Sequence, residues 1–316
     1  MKHVFVFDPK SFPNQQWKME NMLDHIGEYF RTQDKPDFSI QISRYRRDAI
    51  VQIQKEMETA KDGDTVRVYA IGGAEILYDC INSVAELPNT EIAMVPYGEP
   101  SDFLYNFGEG KEALFGNALS LVQKGAAIPT DIFKWNVNYA LNSCHIGPNS
   151  ASKGRLRKYN AAQNKSGFFL FSIFTSFLNN LLSVFDRQIT ARHYKITIDD
   201  NDFSGNYSLI HIANGPYFSG KMTGLTEAAP DDGLLDIAMI KSAGPLTIKW
   251  SLSRFFHGKK PKNCITMQAK KITVQSDKQM WIQVDNEYIL DTAVNIEVVP
   301  HAVQMVTMDN LSYQKH

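Results

Sequence analysis

The stretch that decides the fold reads VYAIGGAEILYDCINSV over Val68–Val84 and, after a short connection, IAMVPYGEPSDF over Ile92–Phe103. A strand ends at Gly72-Gly73 and a helical repeat follows it. A second strand ends at the Pro96-Tyr97-Gly98 turn. Strand, glycine-bearing loop and helix in alternation predict a parallel sheet, whose carboxyl edge is where such domains bind ligands. Working outward, Val4–Phe7, Phe38–Ile42, Thr65–Ile71 and Glu91–Val95 predict strands. Trp17, Met22, Leu23, Ile26 and Phe30 recur at helical spacing, as do Ile50, Ile53 and Met57. Ile76–Val84 and Ala113–Gln123 predict two more helices, the latter stopped by Gly125. The expectation is an α/β fold with a Rossmann-like open parallel-sheet domain over residues 1–127.

Beyond Ile128 the rhythm changes to period two between turns, over Ile132–Leu141, His193–Ile198, Tyr207–Ala213, Leu235–Ile240, Ile265–Val274, Trp281–Val284 and Val294–Val299. That pattern predicts a mainly antiparallel, β-sandwich-like domain over residues 128–299. Helical segments over Phe168–Val184 and Pro245–Phe256 interrupt it, and Val303–Met308 reads as one more strand.

A chain of 316 residues with 43% hydrophobic residues has enough material for two packed cores. The net charge of -1 argues against a nucleic-acid partner bound by bulk charge. Cys80, Cys144 and Cys264 are sparse, odd in number and without metal-ligand spacing, which predicts buried thiols in a reducing, cytoplasmic setting. The apolar start Val4–Phe7 is too short for a secretory signal. Gly167–Phe185 has the length to span a bilayer, but Ser172, Thr175, Ser176, Asn179, Asn180 and Ser183 put a polar stripe along it. A docked helix is the expectation. Arg155, Arg157, Lys158 and Lys165 ahead of it suit either peripheral contact with an anionic membrane or a solvated basic loop.

Several residues carry chemistry under one reading and structure under another. Lys10 and Ser11, after the first strand, can meet a phosphate or stand in a polar turn. Gly72 and Gly73 let backbone approach a ligand, yet match neither common phosphate-loop pattern. Asp102 can cap a helix without any ligand. Asp231, Asp232 and Asp236 around Gly233-Leu234-Leu235 can hold a hard cation or form a solvent-facing turn. Asp285 and Glu287 flank Asn286 in a hairpin turn, and either can act as a base there.

In family order, these segments resemble the diacylglycerol kinase and sphingosine kinase superfamily, most closely its bacterial lipid kinase branch. Asn214-Gly215-Pro216-Tyr217-Phe218-Ser219-Gly220-Lys221-Met222 resembles the family's Asn-Gly-aromatic, glycine-rich segment. Asp232-Gly233-Leu234-Leu235-Asp236 resembles its Asp-Gly-x-Leu-Asp motif, and Asp285-Asn286-Glu287 its Asp-Gly-Glu. The resemblance implies a nucleotide-binding α/β domain, a lipid-binding β-sandwich-like domain, and a return of residues 300–316 to the first. It implies transfer of the ATP γ-phosphate to a lipid hydroxyl with Mg²⁺, in a cytoplasmic protein working at a membrane. Asp285 or Glu287 falls at the proposed base. Lys10, Ser11, Gly72, Gly73, Glu75, Gly98 and Asp102 fall at the nucleotide, and Asp232 with the Leu234 carbonyl at a structural Mg²⁺.

The first domain departs from the pattern. The family's Gly-Gly-Asp-Gly-Thr loop is Gly72-Gly73-Ala74-Glu75-Ile76 here, and its Asn and Glu are Tyr78 and Asp79. The second loop is Pro96-Tyr97-Gly98-Glu99-Pro100-Ser101-Asp102 in place of Pro-Leu-Gly-Thr-Gly-Asn-Asp, and the opening Asn-Pro-x-Ser-Gly is Asp8-Pro9-Lys10-Ser11-Phe12. Asp8, Glu75, Asp79 and Glu99 add negative charge where a polyanion would sit, so two expectations stand: an ATP-dependent lipid kinase, or a degenerate member that binds lipid, nucleotide or a partner without phosphoryl transfer.

Overall fold

Strands β1 (Lys2–Phe7), β2 (Phe38–Ile42), β3 (Val66–Gly72) and β4 (Thr90–Pro96) alternate with helices α1 (Gln16–Arg31), α2 (Asp48–Glu58) and α3 (Ala74–Val84). This computed structural model describes residues 1–34, 37–61, 63–98, 101–148, 150–151, 191–218, 222–308 and 311–314. Glu99, Pro100, Ser219–Lys221 and the segment Gly167–Phe185 with Arg155, Arg157, Lys158 and Lys165 lie outside the described residues.

β1 pairs in parallel with β2 and β3, and β3 in parallel with β4. Every residue of β3 is buried, and the one charge in it, Arg67, is paired with Glu91 of β4 at 2.6 Å. Phe5 and Tyr69 stack across β1 and β3 with centroids 4.4 Å apart, and Phe30 of α1 packs edge-on to Phe5. Burying each such ring is worth about 1.5–3 kcal/mol. Trp17 of α1 faces solvent, so the apolar stripe of that helix begins at Met19. The helix expected over Ala113–Gln123 is broken: a 3-10 turn covers Lys111–Phe115, and α4 (Ala118–Lys124) starts afresh behind Asn117. The Asn117 side chain accepts from Ser120 N–H at 3.1 Å, capping the new helix.

The remaining strands are β5 (Ala126–Trp135), β6 (Asn138–Ala140), β7 (Ser143–Ile146), β8 (Arg192–Ile198), β9 (Asn201–Asp202), β10 (Gly205–Ala213), β11 (Tyr217–Phe218), β12 (Met222–Thr223), β13 (Leu235–Lys241), β14 (Cys264–Ala269), β15 (Lys271–Val284) and β16 (Glu287–Thr307). Helix α5 (Pro245–Phe256) lies between β13 and β14. β7, β10, β13, β14 and β15 pair antiparallel around a second core built on Ile146, Ile210, Ile237, Ile282 and Val294.

The expected open, Rossmann-like parallel sheet standing as its own domain is corrected by the pairing. The end of β16 adds to β4 in parallel, Met305 opposite Ile92, and β5 runs antiparallel beside β16 over most of its length. The first four strands therefore continue into the antiparallel ones, and fourteen described strands form one hydrogen-bonded sheet. β16 makes this possible by bending at Pro300-His301, where its register to β5 shifts and His301 takes φ +53°. The fold is an α/β architecture with an antiparallel sandwich, joined through that strand. Among the described residues no helix is long and apolar enough to cross a membrane. All three cysteines are buried free thiols.

Candidate functional site

Helix α3 stands between two clefts. Ala74, Leu77, Tyr78 and Ile81, spaced along one helical face, line a narrow cleft shared with Asp102, Asn142, Gln283 and Asp285. Glu75, Ile76 and Asp79, on another face, line a second narrow cleft shared with Asp8, Lys10, Arg46, Arg47 and Glu287. The two carboxylates of the Asp285-Asn286-Glu287 hairpin are thus separated, one to each cleft.

Ser11 knits the glycine loops together. Its Oγ donates to Asp8 Oδ2 at 2.8 Å and accepts from Gly73 N–H at 3.1 Å. Asp8 Oδ1 accepts from Lys10 N–H at 3.1 Å. Gly72, at φ +152°, has no room for a side chain: a Cβ would meet Asp8, Ser11 and Ile76 atoms at 3.0 Å each. Gly98, at φ +77°, lies so close to Ser11 that a Cβ would sit 3.1 Å from its carbonyl oxygen. Phe12 stacks on Tyr97 at 4.5 Å and closes the junction. The structure therefore gathers Lys10, Ser11, Gly72, Gly73, Glu75 and Gly98 at one place, with Asp102 on the other side of α3.

The fit to a nucleotide phosphate is poor. The Gly73 N–H, a natural phosphate donor, is already taken by Ser11. Ile76 presses hydrocarbon into the Gly72 turn. Asp8, Glu75, Asp79 and Glu287 face three cations in the second cleft. Two of those cations are committed: Arg46 pairs with Glu287, while Arg47 pairs with Asp79 and reaches Glu287 Oε1 at 2.9 Å. The Arg47 guanidinium also lies 4.3 Å over the Tyr78 ring. Burial raises the Asp79 carboxyl above its usual range despite Arg47, and pushes Tyr78 up to about 12. Arg46 and Arg47 were not singled out in the sequence; the one available signal was the basic run Arg44-Tyr45-Arg46-Arg47 at the mouth of a strand-helix loop.

Asp285 is a structural anchor. Its Oδ1 accepts from Asn142 N–H at 3.0 Å and Ser143 N–H at 2.9 Å, and its Oδ2 from Leu141 N–H at 2.8 Å. It sits in the left-handed region at φ +47°, at the hairpin turn. Burial raises its carboxyl above the usual range, with the three N–H donors opposing that shift.

Asp232 and Leu234 lie in neither cleft. Asp232 Oδ1 accepts from Leu234 N–H at 2.9 Å, and Gln268 Nε2 reaches both Asp232 Oδ2 and Asp236 Oδ2 at 3.4 Å. Buried Asp131 on β5, absent from the sequence reading, fixes the turn by accepting from Gly233 N–H at 2.6 Å and His301 N–H at 2.8 Å. Burial, with the Asp232 and Glu227 charges beside it, pushes the Asp236 carboxyl up to about 6. Among the described residues no group of three or more His, Cys, Asp or Glu side chains is placed to hold a metal ion, so the expected structural Mg²⁺ would have only Asp232, the Leu234 carbonyl and water as ligands. Asp232→Ala should accordingly lower the melting temperature more in Mg²⁺ than in chelator, since a saturating cation at a hundredfold its Kd adds about 2.7 kcal/mol. Calorimetric scans with equal losses in both buffers would rule the cation out.

The profile described as "YegS C-terminal NAD kinase beta sandwich-like domain" matches residues 175–307. A "Putative lipid kinase" of Staphylococcus aureus strain bovine RF122 / ET3-1 is 30% identical over 322 aligned residues, covering 95% of this chain and 97% of the relative. Its counterpart in strain MRSA252 is 29% identical with the same coverage. The solved structure of a "putative diacylglycerol kinase" from Bacillus anthracis str. Sterne superposes with TM-score 0.72 at 20% identity, covering 98% of both chains, and shares the fold. A full-length likeness at that identity, on this fold and with this order of segments, places the chain in the bacterial lipid kinase family of the diacylglycerol kinase and sphingosine kinase superfamily, and it belongs there.

Proposed function

We propose that this chain is a lipid-binding member of its family that does not carry out the usual ATP- and Mg²⁺-dependent phosphoryl transfer. The observation that carries the reading is the filled Gly72-Gly73 turn, where Ser11 Oγ takes the Gly73 N–H and Ile76 packs against Gly72. Phosphoryl transfer depends on positioning and on donors aimed at the phosphate. A phosphate entering this cleft would meet the carboxylates of Asp8, Glu75, Asp79 and Glu287, and that repulsion opposes binding. The lipid part of the reading rests on the relatives, named as lipid and diacylglycerol kinases. Its one local correlate is the lining of the cleft beside Asp285, where Leu77, Phe103 and Leu141 lie near polar Asn142 and Gln283. The chain would act in the cytoplasm and meet the bilayer from its surface.

One observation favours a second reading. Lys10 and Glu75 line the same cleft, so Glu75 can supply the carboxylate that Ala74 lacks and an ATP-dependent lipid kinase would result, with Asp285 or Glu287 as base. Calorimetric titration with ATP and Mg²⁺ separates the two. No heat at micromolar ATP, and no labelled phosphate transferred to diacylglycerol in mixed micelles, is expected. A micromolar Kd with turnover would establish the kinase instead. In the same assay Ala74→Asp with Glu75→Gly and Ile76→Thr should raise ATP affinity at least about tenfold: the carboxylate count is unchanged, but the Ile76 hydrocarbon leaves the Gly72 turn and a hydroxyl donor is gained. An unchanged affinity would move the block from this loop to the one at Gly98.

A further inference from the structure

Between Asp236 and Asp277 the sequence has no acidic residue and eight Lys or Arg residues, in a chain whose net charge is -1. Helix α5 lies in the middle of that stretch. Its inner face is anchored: Ile248, Leu252 and Phe255 are buried with Leu209, Ala238 and Ile240 in a core cluster of their own. Its outer face is apolar where solvent would favour charge. Leu246 is 78% exposed and Trp250 51% exposed. Leu246, Trp250 and Arg254 follow one another at four-residue steps and so form a single stripe. The Arg254 guanidinium sits 4.9 Å from the Trp250 ring centroid. Lys249, Lys259, Lys260 and Lys262 are exposed around the same helix and the turn that follows it.

From this arrangement we infer that the outer face of α5 docks the protein on an anionic lipid bilayer. A helix of 12 residues is about 18 Å long, too short to cross and suited to lying in the interface. Tryptophan favours that layer, because its ring is apolar and its N–H stays wet. Lysines around it meet acidic headgroups while their stems cover apolar surface. Charge complementarity selects the occupant: an exposed Leu-Trp pair ringed by cations fits a negatively charged surface that also offers hydrocarbon. The inner face ties the dock to the family's Asn-Gly-aromatic segment, since Phe218 lies 6.4 Å from Phe255 and 5.6 Å from Phe256 by ring centroids. Docking by α5 does not depend on whether the chain uses ATP.

Co-sedimentation of the full chain with vesicles tests this. Vesicles of phosphatidylcholine mixed with phosphatidylglycerol should bind the protein and phosphatidylcholine alone should not, with binding falling as NaCl rises. Leu246→Ser with Trp250→Ser should weaken the partition at least about tenfold. Lys249→Glu with Lys259→Glu and Lys262→Glu should weaken it about a hundredfold, at roughly fivefold per lysine. Both variants change exposed side chains, so their melting curves should match the parent's. Three results would overturn the inference: no binding by the parent chain, equal binding by parent and variants, or a Leu246/Trp250 effect on self-association in sedimentation velocity with none on vesicles. Release of the bound protein by duplex RNA with the Leu246/Trp250 variant unaffected would assign the patch to nucleic acid and also overturn it.

Discussion

Asp285→Ala is expected to lower the unfolding free energy by at least about 3 kcal/mol, read as a fall in the urea midpoint. The carboxylate gathers the N–H groups of Leu141, Asn142 and Ser143 at 2.8–3.0 Å. Alanine would leave three donors unsatisfied inside the protein, each worth about 1–3 kcal/mol. It would also force a Cβ-bearing residue with no polar compensation to hold φ +47°. Asp285→Asn is the informative control. Asparagine tolerates that backbone region and can still accept from Asn142 and Ser143, but turns its amide NH₂ toward the Leu141 N–H. An intermediate loss of about 1–2 kcal/mol follows. If alanine and asparagine were both neutral, the carboxylate would not be the anchor of this turn.

Arg47→Ala should cost about 3 kcal/mol in the same assay. Its guanidinium is shared between Asp79 and Glu287, whose side chains are only 8% and 7% exposed. Removing the cation strands two carboxylates out of water, and breaking such a pair typically costs 3–5 kcal/mol. The lower end applies because Arg47 itself is 32% exposed. Arg46→Ala, at a side chain 57% exposed, should cost less than about 1 kcal/mol even though it meets the same Glu287. Arg47→Lys keeps the charge but loses the planar fork and the contact with Tyr78, and should fall between the two. Equal losses for Arg46→Ala and Arg47→Ala would mean that burial does not set the cost.

What the sequence makes legible is local. Gly72-Gly73 and the Pro96 turn announce themselves because only small or φ-fixed residues serve there. α3 and α5 are visible because their apolar residues recur within a few turns. β16 is a different matter. Pro300 reads as the end of one strand and Val303 as the start of another, yet the structure carries 21 residues through as one strand with a bulge. A proline inside a strand is tolerated at a bulge, and nothing local distinguishes that from a stop. The open-sheet expectation fails for the same reason: the returning strand is not separate but runs unbroken out of the antiparallel strands, and so joins the two sheets. The candidate site divides likewise. The loops and the Asp285 hairpin are visible as turn chemistry. The Arg46–Glu287 contact joins residues 241 positions apart, and no spacing rule reaches that far. Ile76 is conspicuous as a departure from a motif, but only the structure gives it a target, the Gly72 turn.

The long strand also sets an order of events during synthesis. Ile92 finds its neighbour Met305 only after the ribosome has made more than two hundred further residues. Until then the β4 side of the nascent parallel sheet is a bare edge, able to recruit stray chains. A truncation that stops before Val303 should therefore yield inclusion bodies, because it leaves that edge permanently open.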